Sequence, residues 1–292
     1  MIIVKLKGGL GNQMFQYAVG KTIALRTGWD VAYDLTEYIA GGTAARDTVR
    51  PLRLTNFNVT LPEASVSDIS KTKNPFHKLK RIIQNRIFAT NWYKTNTAIL
   101  SPKDGSYLEG WWQTDDYFKD FADAIRSDFT PKKPLGVSAQ SLYLKIKELK
   151  EAGFAPVSLH IRRGDYVTNK HAAAHHGVLQ LDYYYKAIEE IQKKESKNIQ
   201  LFVFSDDINW AKQHLQTKDI TINYVSSPDI QEYEELVLMS NCSHHIIANS
   251  SFSWWGAWLN PSASKVVVGP KQWIQSHTVD TTNATPSDWI RI

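Results

Sequence analysis

A single cysteine, Cys242, stands in the 292-residue chain. One thiol cannot close an internal disulfide, and such sparse use of cysteine fits a reducing compartment. No apolar run approaches the roughly 20 residues that a membrane helix needs. The opening MIIVKLKGG is too poor in apolar residues for a secretory signal, so cytoplasmic residence is expected. Long runs of like charge are missing as well, which excludes a charged nucleic-acid tail. The formal charge of +5 is compatible with a phosphate-bearing ligand or with weak attraction to an anionic membrane surface. Also absent is any Asp-x-Asp triplet, the usual holder of a divalent ion on a nucleotide-sugar diphosphate. A diphosphate bound here must be neutralised by arginines and helix ends.

What is present reads as a globular protein, with 42% apolar and 22% charged residues. The ten tryptophans and thirteen tyrosines offer flat faces that suit sugar rings or bases, although core packing accounts for most aromatics of this kind. The most basic stretch, KTKNPFHKLKRIIQNR at 71–86, forms as a helix either a solvated face or a peripheral contact with anionic lipid.

Strand-like and helix-like segments alternate. Strands are expected at 2–6, 30–34, 106–112, 156–161, 199–205, 221–226, 244–249 and 265–269. Helices are expected at 12–27, 77–88, 115–127, 138–152, 182–195, 207–216, 230–240 and 251–259. Continuous apolar strands separated by amphipathic helices imply α/β architecture with parallel sheets covered on both faces. TPKKPLG at 130–136 is the best linker, dividing the chain into lobes 1–133 and 134–292. In such sheets ligands bind beyond the carboxyl ends of the strands, so the loops after strands carry the interest.

Four loops qualify. In KGGLGNQMFQYA (7–18), Gly8, Gly9 and Gly11 let backbone approach a ligand, with Asn12 and Gln13 at the helix start; a plain tight turn is the competing account. The loop is no dinucleotide fingerprint, since the third glycine of that pattern falls on Met14, and GKT at 20–22 is no phosphate loop, since its earlier glycine falls on Phe15. In APVSLHIRRGDYVTNK (155–170), His160 and Arg162 share a strand face, Arg163 opens the loop, Gly164 permits a sharp turn and Asp165 orients a guanidinium. An arginine pair grips phosphate bidentately, and a structural Arg–Asp ion pair is the alternative. In IIANSSFSWWGAWLN (246–260), Asn249, Ser250 and Ser251 make a phosphate cradle at a helix N-terminus, while Trp254, Trp255 and Trp258 pack that helix onto the sheet. In FSDDINW (204–210), Ser205, Asp206 and Asp207 close a strand, where a carboxylate either accepts from a ribose or guanine N–H or caps a helix. His171, His175 and His176 lack a convincing set of further ligands and read as solvated rather than metal-binding.

GGLGNQMFQYA, EGWWQTDDYF, HIRRGDYV and IANSSFSWWGAWL, in this order between residue 7 and about 270, together resemble glycosyltransferase family 11, the α-1,2-fucosyltransferases, and QLDYYYKAI (180–188) adds a fifth local likeness. The resemblance implies a GT-B-type fold, two Rossmann-like lobes with parallel sheets facing a cleft. It implies inverting transfer of L-fucose from GDP-fucose to the 2-hydroxyl of a terminal β-galactoside on an oligosaccharide or glycolipid, with no metal or other cofactor and no nucleic-acid partner. The N-terminal lobe would take the acceptor and carry the glycine loop, and the C-terminal lobe would bind the donor. By that likeness Arg162 holds the β-phosphate with support from Arg163, His160 lies near the ribose or guanine, and Asp165 fixes the arginine geometry. Ser250, Ser251 and Phe252 form a second phosphate-side contact, Asp206 or Asp207 reads guanine, and Asn12, with Gly9 and Gly11, approaches the fucose and phosphates. A general base is sought among Glu109, Asp115, Asp116, His175 and His176 without singling one out. A nucleotide-sugar transferase with another linkage or acceptor, and a non-catalytic carbohydrate-binding protein, are the competing readings.

Overall fold

The computed structural model describes residues 1–39, 50–72, 93–168, 177–276 and 279–292. The helix expected at 77–88, nearly all of the basic stretch 71–86, and His171, His175 and His176 lie outside the described residues. The chain divides into two compact units, Met1–Lys132 with Val279–Ala284 and Lys133–Thr278 with Thr285–Ile292. The expected boundary assigned the whole tail to the second lobe, whereas the segment Val279–Ala284 belongs with the first.

The first unit holds three parallel strands in the order β2-β1-β3, with β1 at Ile2–Lys5, β2 at Val31–Asp34 and β3 at Tyr107–Leu108. Helix α1, Leu10–Thr27, connects β1 to β2 and is buried around much of its circumference, because small and apolar residues occupy most of its positions. Short α2 (Thr36–Ile39), α3 (Val66–Thr72) and α4 (Ala122–Asp128) follow. Two expectations are corrected here. The strand expected at 106–112 is only β3, which pairs with β1 through Ile3↔Tyr107 and Val4↔Leu108 next to the end of β1 at Lys5; further on, Trp112 adopts φ +44°. The helix expected at 115–127 opens as two 3₁₀ turns, Asp115–Tyr117 and Lys119–Phe121, broken at Phe118 by φ −142° before α4 begins.

The second unit is more regular. Its strands are β4 Ala155–Ile161, β5 Ile199–Ser205, β6 Ile222–Tyr224, β7 His244–Ile246, β8 Val267–Gly269 and β9 Ile290–Arg291, all parallel in the order β6-β5-β4-β7-β8-β9. Numbered from β4 onward this is order 3-2-1-4-5-6, the doubly wound nucleotide-binding arrangement. The helices are α5 Val137–Glu151, α6 Gly164–Thr168, α7 Leu181–Lys194, α8 Ile208–His214, α9 Glu232–Ser240 and α10 Ser251–Leu259. Strand β9 escapes the sequence reading because two residues carry no periodicity.

Side-chain alternation sorts the core into two faces. Val157, Leu159, Ile161, Leu201 and Val203 pack with Tyr184, Ile188 and Ile191 of α7. Phe202 and Phe204 pack with Ala139 and Ile146 of α5 and with Leu238 and Met239 of α9. Trp254, Trp255 and Trp258 are buried in α10, as expected of indoles that fasten a helix to a sheet.

The polar residues of β4, Ser158 and His160, lie in register with Phe202 and Phe204 and so share their face. Ser158 is satisfied within the core: Asn260 Nδ2 donates to His245 Nε2 at 2.9 Å, which leaves the His245 Nδ1–H to donate to Ser158 Oγ at 2.8 Å. Burial, with Lys265, His244 and Lys150 adding, holds His245 well below its ordinary value, and burial with Arg162 lowers His160 to about 3. In the unfolded chain both imidazoles titrate near the usual ~6.5. As pH falls below that value the unfolded state therefore binds protons that the native state refuses, and stability declines. Urea unfolding followed from pH 7 to pH 4.5 is expected to show this loss, and His245→Asn, less stable at pH 7, should give a shallower pH dependence.

Candidate active site

The register of β4 on β5 runs from Ala155↔Ile199 to Ile161↔Ser205. The next two residues of each strand exit are arginines on β4 and aspartates on β5, and they pair in the same order. Arg162 Nη1 lies 3.0 Å from Asp206 Oδ2, and Arg163 Nε lies 3.4 Å from Asp207 Oδ2. Asp206 Oδ1 also accepts the Arg163 backbone N–H at 2.8 Å, so one carboxylate holds both arginines. The Arg162 and Asp206 side chains retain 20% and 24% exposure, enough shielding to lift the pair above an ordinary surface contact.

Glycine at 164 is required by this clamp, because a Cβ there would sit 2.5 Å from Asp206 Oδ2, the oxygen that holds Arg162. Asp207 caps α8 through Oδ1, accepting from Trp210 N at 3.2 Å, and its own N–H donates to Ser205 Oγ at 3.0 Å. The Arg163 guanidinium lies 3.8 Å from the centroid of the Trp210 ring, a cation–π contact, and Trp210 stacks in turn on His214 at 4.5 Å. Both aspartates, read from sequence as possible guanine or ribose contacts, thus grip arginines here. Asp165 belongs to α6, and its side chain is outside the described structure.

The strand order places this exit beside that of β7, which pairs with β4 over Val157↔His244 to Leu159↔Ile246. Chain order reverses between β4 and β7, and crevices at such switch points are where doubly wound sheets bind ligands. Tyr166 joins the two exits: its buried hydroxyl donates to the Asn249 carbonyl at 3.0 Å, and Arg162 lies over its ring at 5.5 Å. Ser250 caps α10, its Oγ accepting from Phe252 N at 3.3 Å, and Ser253 Oγ accepts from Ala248 N. The α10 N-terminus, with its partial positive charge, thereby lies at the exit of the strand next to the arginines. His160 packs on Phe252 with ring centroids 5.7 Å apart. Its buried Nδ1 has no hydrogen-bond partner among the described residues, as expected of a group reserved for a ligand.

Trp210, Tyr166 and Glu235 were not legible as site residues. Glu235, on α9, is raised to about 7 by burial, with Glu232 and Asp206 adding and a hydrogen bond from Ser226 opposing. Its only sequence signal was a carboxylate amid the apolar run of α9, indistinguishable from a helix surface charge.

The glycine loop lies in the first unit. The Gly9 carbonyl accepts the Asn12 and Gln13 N–H groups, each at 3.0 Å, and Gly11 is buried inside α1. Asn12 Oδ1 accepts from Gln113 Nε2 at 2.7 Å. Gln13 is fully buried and braces the loop, donating to the carbonyls of Gly8 and Pro51 and accepting from Arg53 N. Among the proposed bases, Glu109 is pushed up by burial, but Lys7 and Lys5 outweigh this and hold it below the usual carboxylate range. Asp116 is likewise pushed up by burial and pulled lower by Lys119 and Thr95.

The profile of the family described as Glycosyl transferase family 11 matches residues 1–292. The O-antigen biosynthesis glycosyltransferase WbnK of Escherichia coli is 33% identical over 306 residues, spanning 98% of this chain and 99% of that protein. An alpha-1,2-colitosyltransferase of Escherichia coli is 32% identical over 300 residues, spanning 100% and 99%. The mouse galactoside 2-alpha-L-fucosyltransferase Sec1 is 23% identical over 265 residues, spanning 89% of this chain and 64% of that protein. With a full-length profile match and two relatives above 30% identity, the chain belongs to glycosyl transferase family 11.

Proposed function

We propose that the protein transfers L-fucose from GDP-fucose to the 2-hydroxyl of a terminal β-galactoside, inverting the anomeric centre and using no metal. The observation that carries the reading is the arginine pair clamped in register at the switch point of the second unit. As the glycosidic bond breaks, its electron pair passes to the β-phosphate oxygen of the departing GDP. Guanidinium donors already aimed at that oxygen stabilise the growing charge without reorganising, so they favour the transition state over the bound substrate. Arg162 takes the phosphate, with Arg163 held beside it by Trp210 and the two aspartates. Ser250, Ser251 and Phe252 at the α10 start supply further phosphate contacts. His160, neutral at pH 7, offers Nδ1 to the nucleoside. The acceptor hydroxyl attacks from the opposite face, converting a β-linked donor into an α product. Glu109 and Asp116, with depressed pKa values, are weakened as proton acceptors, and no base is assigned. A cytoplasmic setting accords with the one buried thiol, Cys242.

The α-1,2 linkage is supported by two relatives of different sugar specificity, one named for colitosyl and one for fucosyl transfer. Because the colitosyltransferase is the more similar of the two, a donor carrying colitose is the second reading; turnover of a panel of nucleotide sugars, with the product bond mapped, separates them.

Three outcomes are expected. Arg162→Ala should keep the fold by circular dichroism and lose about 10²–10³-fold in kcat, the scale seen when one donor to a developing oxyanion is removed. Asp206→Ala, which leaves both arginines without their shared carboxylate, should lower kcat/KM for the donor by about 10- to 100-fold. Transfer should persist in excess EDTA; a full loss that Mg²⁺ or Mn²⁺ restores would contradict the metal-free mechanism.

A further inference from the structure

The carboxyl edge of the first unit's sheet carries two tryptophans that are built differently from the core indoles of α10. Trp111 and Trp112 follow β3 and are each partly exposed, whereas Trp254 and Trp255 have no accessible surface. Trp112 sits at φ +44°, a costly conformation for a bulky side chain, and one that the surrounding contacts must enforce. Its indole lies against Gly110, where a Cβ would come within 2.5 Å of the ring. Trp111 covers Gly8, where a Cβ would approach its ring to 3.1 Å, and Lys7 Nζ stands 4.4 Å from its ring centroid. Two glycines and a left-handed tryptophan are thus arranged to hold two indoles at a sheet edge rather than inside the core.

The polar groups around them set the class of ligand. Glu109 lies 3.4 Å from Lys5 and 3.3 Å from Lys7, and Glu37 lies 3.7 Å from Lys5. Both ammonium groups are thus engaged by carboxylates beside the two indoles. Amides accompany the charges, with Asn12 and Gln113 joined at 2.7 Å. Flat apolar faces rimmed by neutralised charges and amides match a neutral pyranose. A galactoside ring lays its C–H patch on an indole while its hydroxyls reach the polar rim.

We propose that Trp111 and Trp112 form the platform on which the acceptor's galactose ring stacks. The assignment rests on the transfer reading above for the identity of the acceptor. Trp112→Asn removes the ring yet keeps a residue that tolerates the left-handed region, so folding is preserved; Trp112→Phe keeps a ring. The expected result is an acceptor KM raised about tenfold by Trp112→Asn and by Trp111→Leu, with the donor KM within about twofold of wild type and substantial rescue in Trp112→Phe. Saturation-transfer NMR with methyl β-galactoside and no nucleotide should show binding to wild type and to Trp112→Phe, lost in Trp112→Asn. Undiminished galactoside binding in a folded Trp112→Asn, or loss of GDP binding in its place, would overturn the platform. Wild type that binds the galactoside through Trp112 but transfers nothing from GDP-fucose would uphold the platform and discard the donor assignment alone.

Discussion

One carboxylate organises the arginine exit of the second unit. Asp206 takes the Arg162 guanidinium on one oxygen and the Arg163 backbone on the other. Two guanidinium groups held close together repel, and a flexible arginine loses considerable side-chain entropy when ordered. Paying these costs before a ligand arrives is preorganisation, and it is what lets fixed charge act on a developing one. The parallel register supplies the geometry at little extra cost, since Ile161↔Ser205 delivers Arg162 to Asp206 and Arg163 to Asp207 in step. The bareness of Gly164 leaves room for Asp206 Oδ2, the oxygen that takes Arg162.

The sheet around that clamp is inseparable from it. Because β4 is buried on both faces, its polar residues must be answered locally. Ser158 is answered by His245 and Asn260, a network wholly inside the core. His160, two residues along the same face and nearer the carboxyl end, keeps Nδ1 unanswered among the described residues. One strand thus carries a satisfied polar residue deep in the sheet and an unsatisfied one nearer its carboxyl end.

The sheet edges of the two units differ in chemistry. The arginine exit of the second unit joins a guanidinium pair to a helix N-terminus, the arrangement on which the proposed transfer rests. The glycine-loop edge of the first unit pairs its lysines with Glu109 and Glu37 and presents two partly exposed indoles.

Much of the architecture was written locally. Short apolar runs bounded by turn signals, such as PVSLHI and IQLFVFS, read as buried strands, and α5, α7 and α10 read as helices, so element type and α/β class were accessible to reading alone. Motif spacing likewise located the arginine exit, the serine cap at Ser250 and the glycine loop. Partnership was not written there. That Asp206 holds arginines, that Tyr166 ties one strand exit to the next, and that Trp210 backs Arg163 depend on residues 43 to 83 positions apart meeting through strand order. The short extent of β3 follows its pairing with β1, which ends at Lys5, and strand partnership is not written in local sequence. Local pattern determines which segments are strands and helices because each residue's periodicity and burial are properties of its neighbours in sequence. Which side chains share a site was decided by tertiary structure, because register and strand order are set by the global packing of the sheet.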